Sequence, residues 1–188
     1  MPHLLIKDLP RYECLIEAAK HYPELDPSAC EVFLHLLRAG DEAFMHAEQN
    51  LTEHNISHGR FSVLMLLAQG CPAGESGEAS LGRTPAELAD SARVTRATMT
   101  GLIDTLERDG FVRREADTQD RRMMRICLTP KARKFLGALL PSHFSRMAAV
   151  MSGLDERERR MLVNLLNKIY VRAADLNTEA GSARALSA

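Results

Sequence analysis

The sequence predicts a mainly helical protein with one small β-hairpin. Three observations predict it. Apolar residues recur at i, i+3, i+4 and i+7 through most of the chain. The segments so marked are bounded by N-cap residues, prolines and glycines. Strand-like runs are confined to residues 111–116 and 123–128, joined by the turn-rich segment 117–122. At 188 residues the chain is sized for one large domain or two small ones. Hydrophobic residues make up 45% and charged residues 26%, an ordinary globular mix. The longest apolar runs, such as 63–68, fall far short of the ~18 residues that a membrane-spanning helix needs. The N-terminus lacks the basic, apolar and small-residue zones of a signal peptide, so a cytoplasmic protein is expected. The cysteines Cys14, Cys30, Cys71 and Cys127 are widely spaced, which argues against a disulfide framework and against a cysteine zinc finger. Tryptophan is absent and aromatics are 5%, which argues against a stacking platform for single strands.

Taken in order, residues 9–22 are expected to form a short helix stopped by Pro23. Asp26-Pro27 then supplies an N-cap and a first-turn proline. Val32, Phe33, Leu36, Leu37, Phe44, Ala47 and Leu51 keep helical spacing to about His54. That helix is roughly 28 residues and about 40 Å long, enough to overhang a small domain and to suggest a partner chain. Ser57 is expected to cap a third helix carrying Phe61, Leu64, Met65, Leu67 and Ala68. Residues 70–83 form a Gly/Ser/Pro-rich loop whose glycines fit neither GxGxxG nor GxxxxGK[ST], so no phosphate cradle or enzyme motif emerges.

The informative region is 84–129. Thr84-Pro85-Ala86-Glu87 is a capping box with proline at N1. Leu88, Ala89 and Ala92 give the helix it opens an apolar side, and Arg93-Val94 makes a tight turn. Thr95 caps the next helix, whose apolar face is Met99, Leu102, Ile103 and Leu106. Asp109-Gly110 ends it, glycine suiting a left-handed position. Small Ala89 sits where two such helices cross, so the pair forms a helix-turn-helix. With the basic hairpin behind it, the segment is a winged helix. Thr129-Pro130 then caps a helix running to about Met151 and kinked at Pro141. Asp155 to Glu158 is a second capping box, opening a helix with Met161, Leu162, Leu165, Leu166, Ile169 and Tyr170. The expected organisation is N-terminal dimerisation helices over 1–56 and a winged helix-turn-helix lobe over 57–129. C-terminal dimerisation helices follow over 130–176, and then a disordered tail over 177–188.

Charge is segregated along this frame. The net charge of −1 hides −8 over residues 1–92, +5 over 93–134 and +2 over 135–188. Six arginines fall between Arg108 and Arg125. A basic block inside an acidic chain is a local binding surface for a polyanion such as nucleic acid.

Three segments carry a resemblance: Thr84 to Ala89, Val94 to Gly110, and Asp120-Arg121-Arg122 followed by Leu128-Thr129. In that order the sequence resembles the multiple-antibiotic-resistance regulator (MarR) family of bacterial transcription factors, in pattern from about Pro27 to Leu176. The resemblance implies a homodimer clamped by its first and last helices, with two winged lobes on a pseudopalindromic double-stranded DNA operator. It also implies repression relieved by a small phenolic or lipophilic effector. The long 70–83 loop and the helix before Pro23 depart from the usual family pattern.

Within this frame the expected DNA-reading residues are Thr95, Arg96, Ala97, Thr98 and Thr100, at the start of the helix that enters the major groove. Arg96 suits guanine O6/N7, a threonine methyl suits the thymine methyl, and Thr95 is a cap whose positive helix end suits phosphate. In the wing the candidates are Arg113, Arg114, Asp120, Arg121 and Arg122. Asp120 is expected to hold Arg122 for a narrow minor groove, Arg121 suits phosphate, and at most one of Arg113 and Arg114 faces DNA. Ser57 and His58 are candidate phosphate contacts. Cys30, near a helix N-terminus, is the redox candidate, and a cysteine-based redox regulator is one alternative function. The other is an all-helical small-molecule sensor or adaptor without DNA binding. Glu42/His46 and His54/His58 have i, i+4 spacing, but Asn55-Ile56-Ser57 interrupts the second pair. No metal, cofactor, catalytic group or membrane association is expected, and no residues are assigned to the effector.

Overall fold

The computed structural model describes residues 8–69, 82–117, 120 and 123–186. The caps place most of the helices. Asp26 accepts hydrogen bonds from the backbone N–H groups of Ser28 and Ala29, with Pro27 in the first turn, and so opens α2 (Pro27–Glu53). A shorter α1 (Tyr12–Ala19) precedes it and packs against it. It is narrower than the 9–22 expected, because Arg11 offers no side-chain cap and the backbone tightens into turns from Lys20. Helix α3 (His58–Ala68) begins after Ser57, whose hydroxyl takes no part in capping, contrary to expectation. Next come α4 (Pro85–Ala92), α5 (Arg96–Arg108), β1 (Val112–Ala116) and β2 (Met124–Leu128). The two strands pair antiparallel, with Val112 opposite Leu128 and Ala116 opposite Met124. Thr129 accepts from the Ala132 N–H and opens α6 (Pro130–Val150), which passes through Pro141 and ends in a 3₁₀ turn at Met151–Gly153.

The chain divides into two units, Met1–Arg146 and Met147–Ala188. In the first, α3, α4, α5, the hairpin and α6 enclose one core of Leu64, Leu88, Met99, Ile103, Leu106, Ile126 and Leu139, each at most 1% exposed. Leu51 of α2 and Ile56 join the same core. The second unit contains α7 (Glu156–Leu186). Asp155 and Glu158 form the expected reciprocal cap at its start, 2.8 Å in each direction. Residues 177–186 are not the disordered tail expected; they continue α7. Glutamate, alanine, arginine and leucine there are strong helix formers and no proline intervenes. Thr178 donates to the Ala174 carbonyl at 3.0 Å, and Arg172 lies 3.5 Å from Glu179. No helix among the described residues is long and apolar enough to cross a membrane.

Candidate nucleic-acid interface

The interface is built from two caps and one left-handed residue. The Thr84 hydroxyl accepts from the Glu87 N–H at 3.2 Å, and the Glu87 carboxylate accepts from the Thr84 N–H at 2.8 Å. That N–H, followed by the Thr84 hydroxyl, holds the Glu87 carboxyl below the ordinary glutamate range. Arg93 closes α4 at φ 52°, in the left-handed region, and the Val94 N–H returns to the Ala89 carbonyl. The chain thereby reverses within a few residues, and Thr95 caps α5 by accepting from the Thr98 N–H at 3.1 Å. Ala89, 1% exposed, sits in the core with Met99 and Ile103, both 0% exposed. That committed face leaves Arg96, Ala97, Thr98 and Thr100 exposed along the outside of α5.

Beyond α5, Gly110 takes φ +72°, as its place after the helix predicts. This corner is tied down by residues that sequence reasoning missed. Arg60 of α3 pairs with Asp109, and Lys131 donates to the Asp109 carbonyl at 2.7 Å. Both cations also lie over the Phe111 ring, at 6.0 and 5.0 Å from its centroid. Residues 60 and 109 are 49 positions apart, so no local pattern links them. Thr129 ties in the same turn by donating to the Gly110 carbonyl at 2.8 Å.

Arginines brace the hairpin, one of them to α5. Arg114 pairs with Asp104 and, at 2.9 Å, with Glu107, both on α5. Arg113 pairs with Glu115 on its own strand, and that bond, with the Cys127 thiol second, holds the Glu115 carboxyl below its usual range. Burial, with Glu115 second, pushes the Cys127 thiol up. Both wing arginines on β1 therefore already have carboxylate partners within the chain. Asp117, 4% exposed, pairs with Arg125, which also donates to the Gly82 carbonyl at 2.6 Å. Arg83 bridges Ile126 in both directions, at 3.2 and 2.8 Å, so the end of the expected loop runs as a third edge beside β2. Gly82 is required by that approach: a Cβ there would stand 2.4 Å from the Cys127 sulfur and 2.5 Å from the Ile126 carbonyl oxygen. A basic residue on strand β2 was the one available signal for Arg125.

The Asp120 N–H bonds the Asp117 carboxylate at 2.9 Å, and its carbonyl accepts from the Met123 N–H. Arg121, Arg122, Cys71 and residues 70–81 of the expected loop lie outside the described residues. Ser57 and His58 are exposed at the start of α3, and His58 packs edge-on against Phe44 with ring centroids 4.9 Å apart. Cys30 is half-buried in the second turn of α2, where the Asp26 carboxylate already takes the first N–H donors. Thr84, Pro85, Ala86, Arg96, Thr100, Met123 and Met124 line an open cleft of about 390 Å³ between the start of α4, α5 and the hairpin.

Known proteins resemble this chain in sequence and fold. The MarR family model matches residues 56–124. The chain is 36% identical to the HTH-type transcriptional repressor YetL of Bacillus subtilis over 167 residues, covering 89% of this chain and 95% of that protein. Its fold resembles Sco3205 of Streptomyces coelicolor, a MarR family regulator solved in complex with DNA. That likeness has TM-score 0.66 and 22% identity, covering 78% of this chain and 91% of the other. It also resembles MepR of Staphylococcus aureus, likewise solved with DNA, at TM-score 0.62 and 24% identity, covering 74% of this chain and 97% of the other.

Proposed function

The chain belongs to the MarR family and is a DNA-binding transcriptional regulator, not an enzyme; from that premise we propose a homodimeric repressor released from a pseudopalindromic operator by a small lipophilic or phenolic effector. The observation that carries the proposal is the exposed Arg96–Thr100 face of a helix whose other face is locked in the core. Such a helix enters the major groove by its N-terminal end, where Arg96, Ala97, Thr98 and Thr100 meet the bases and the Thr95 cap meets phosphate. Ser57 and His58 serve as flanking phosphate contacts in this reading. Arg121, Arg122 and Arg113 serve the wing's minor-groove and backbone contacts, Asp120 orienting the tip. Arg114 serves the wing differently, neutralising Asp104 and Glu107 on the recognition helix.

The dimer is supported by apolar side chains that the single chain leaves in solvent, among them Phe33 at 58% on α2 and Leu165 at 49% and Tyr170 at 53% on α7. A small effector is supported by two of the buried polar atoms that have no partner among the described residues, Asn50 Nδ2 and His143 Nδ1. Ser142 donates to the Asn50 amide oxygen at 3.0 Å, and Phe61 packs on the His143 ring at 4.9 Å. Burial, with His58 second, pushes the His143 imidazole below the ordinary histidine range, so it is neutral at pH 7. A polar group on an effector would answer such an unmet atom.

Fluorescence anisotropy with duplex DNA at several salt concentrations tests the proposal. Arg96→Ala is expected to cost about 1–3 kcal/mol on the preferred site and to relax its sequence preference. Arg122→Ala is expected to weaken preferred and scrambled duplexes alike, with a salt slope shallower by about one contact. Phenols and aromatic acids are expected to weaken the complex. Absence of salt-dependent duplex binding overturns the proposal.

A further inference from the structure

We propose that the recognition helix reads thymine methyl groups: its outward face and the adjoining methionines form an apolar surface selective for A·T pairs in the major groove. The proposal rests on the DNA docking argued above and names what that docking selects.

The threonine hydroxyls on this face are turned back on their own helix. Thr95 Oγ1 accepts from the Thr98 N–H at 3.1 Å and lies 2.8 Å from Thr98 Oγ1, so the two hydroxyls share a hydrogen bond. Thr100 Oγ1 donates to the Arg96 carbonyl at 2.9 Å. A threonine carries its hydroxyl and its methyl on the same carbon, so a hydroxyl bent to the backbone leaves the methyl as the group presented outward. Exposed Ala97 adds another methyl. At Gly101 the space where a Cβ would stand is open, with nothing within 4 Å, so a base can approach the backbone there. The next acid along the helix, Asp104, is paired with Arg114. Beside this face the cleft is lined by Pro85, Ala86, Met123 and Met124, and the two methionines are 44% and 41% exposed.

The consequence is a surface rich in methyl and methylene groups, with Arg96 as its cation over residues 96–101. Only thymine offers a methyl group in the major groove. Thymine methyls gain by burial against such a surface. A guanine or cytosine edge facing the same methyls gives up water without gaining a partner, which costs binding energy. Selectivity thus comes from attraction to thymine and from rejection of the polar edges. Flexible methionines let the surface follow the local groove.

The full-length protein is used to select duplexes from a randomised DNA pool. The recovered duplex is resynthesised with deoxyuridine for thymidine, position by position, which removes the 5-methyl and nothing else. The wild-type protein is expected to lose about fourfold in affinity per contacted methyl, the burial value of one such group. Thr98→Ser with Thr100→Ser keeps both hydroxyls, hence the cap and the backbone bond, and removes two methyls. This variant is expected to discriminate thymidine from deoxyuridine several-fold less than the wild type. Equal affinity of the wild type for both duplexes overturns the proposal, as does full discrimination by the double variant. If no duplex is recovered at all, the DNA docking fails and takes this inference with it.

Discussion

The winged lobe and the last helix carry the same kind of apolar periodicity and bury it to opposite extents. In the lobe, Leu64, Met99, Ile103 and Leu106 are 0% exposed. In α7, Met161, Val163, Leu165, Ile169 and Tyr170 remain 40–55% exposed. A helical repeat states that a face is apolar and leaves open what covers it. The lobe covers its own face because α3, α4, α5, α6 and the hairpin converge on one core. For α7 we propose that a second copy of the chain supplies the cover.

The strongest way to break that contrast is to charge the uncovered face. Leu165→Glu with Ile169→Glu is expected to weaken dimerisation roughly 100-fold or more, since two side chains lose their apolar burial. Sedimentation at micromolar concentration would then show monomer where the wild type shows dimer. A wild type that sediments as a well-folded monomer ends the dimer proposal.

A matched pair of truncations sharpens it. Ile103→Ala is expected to cost about 2–5 kcal/mol, because it opens a cavity in a closed core. Its loss in urea titration should be the same at every protein concentration. Ile169→Ala is expected to cost less, and its effect should grow as the protein is diluted. Equal, concentration-independent losses would place both residues in one self-contained core.

The two capping boxes provide the finest comparison, since one motif serves both regions. Thr84→Ala, at a site only 6% exposed, is expected to cost about 1–2 kcal/mol, and exposed Asp155→Ala about 0.5–1 kcal/mol. The Glu87 carboxyl is held below its ordinary value of 4.5, chiefly by the Thr84 N–H, so its folded form binds protons less readily than its unfolded form. Its stabilisation is complete above about pH 4.5 and is lost as pH falls through the depressed value. Glu87→Gln should therefore flatten the acid limb of stability against pH, read from urea midpoints between about pH 3 and 7.

Much of the site was legible because its signals are local. Thr84 and Glu87 are three residues apart, Thr95 caps its own helix, and Gly110 needs a left-handed backbone that few residues tolerate. The outward face of α5 followed from the inward one, since Met99, Ile103 and Leu106 leave Arg96 and Thr100 on the other side. The braces were illegible because their partners are remote in sequence. Arg60 meets Asp109, and Arg125 meets Asp117 and the Gly82 carbonyl. The isolated bridge at Arg83 was hidden too, since a single bridged residue has no periodicity to read. Strand alternation set at most one of Arg113 and Arg114 toward DNA, and could not show that each has a carboxylate partner in the fold.

By itself the sequence determined the order of helices, turn and hairpin, most of the capped ends, and which face of each helix is apolar. Those properties depend on residues within one or two turns of each other, where backbone geometry sets the spacing. Only the tertiary structure decided which apolar faces find cover within the chain and which arginines are taken up as braces. Those outcomes depend on which groups meet across the fold, and a buried charge or hydroxyl takes whatever partner that meeting supplies.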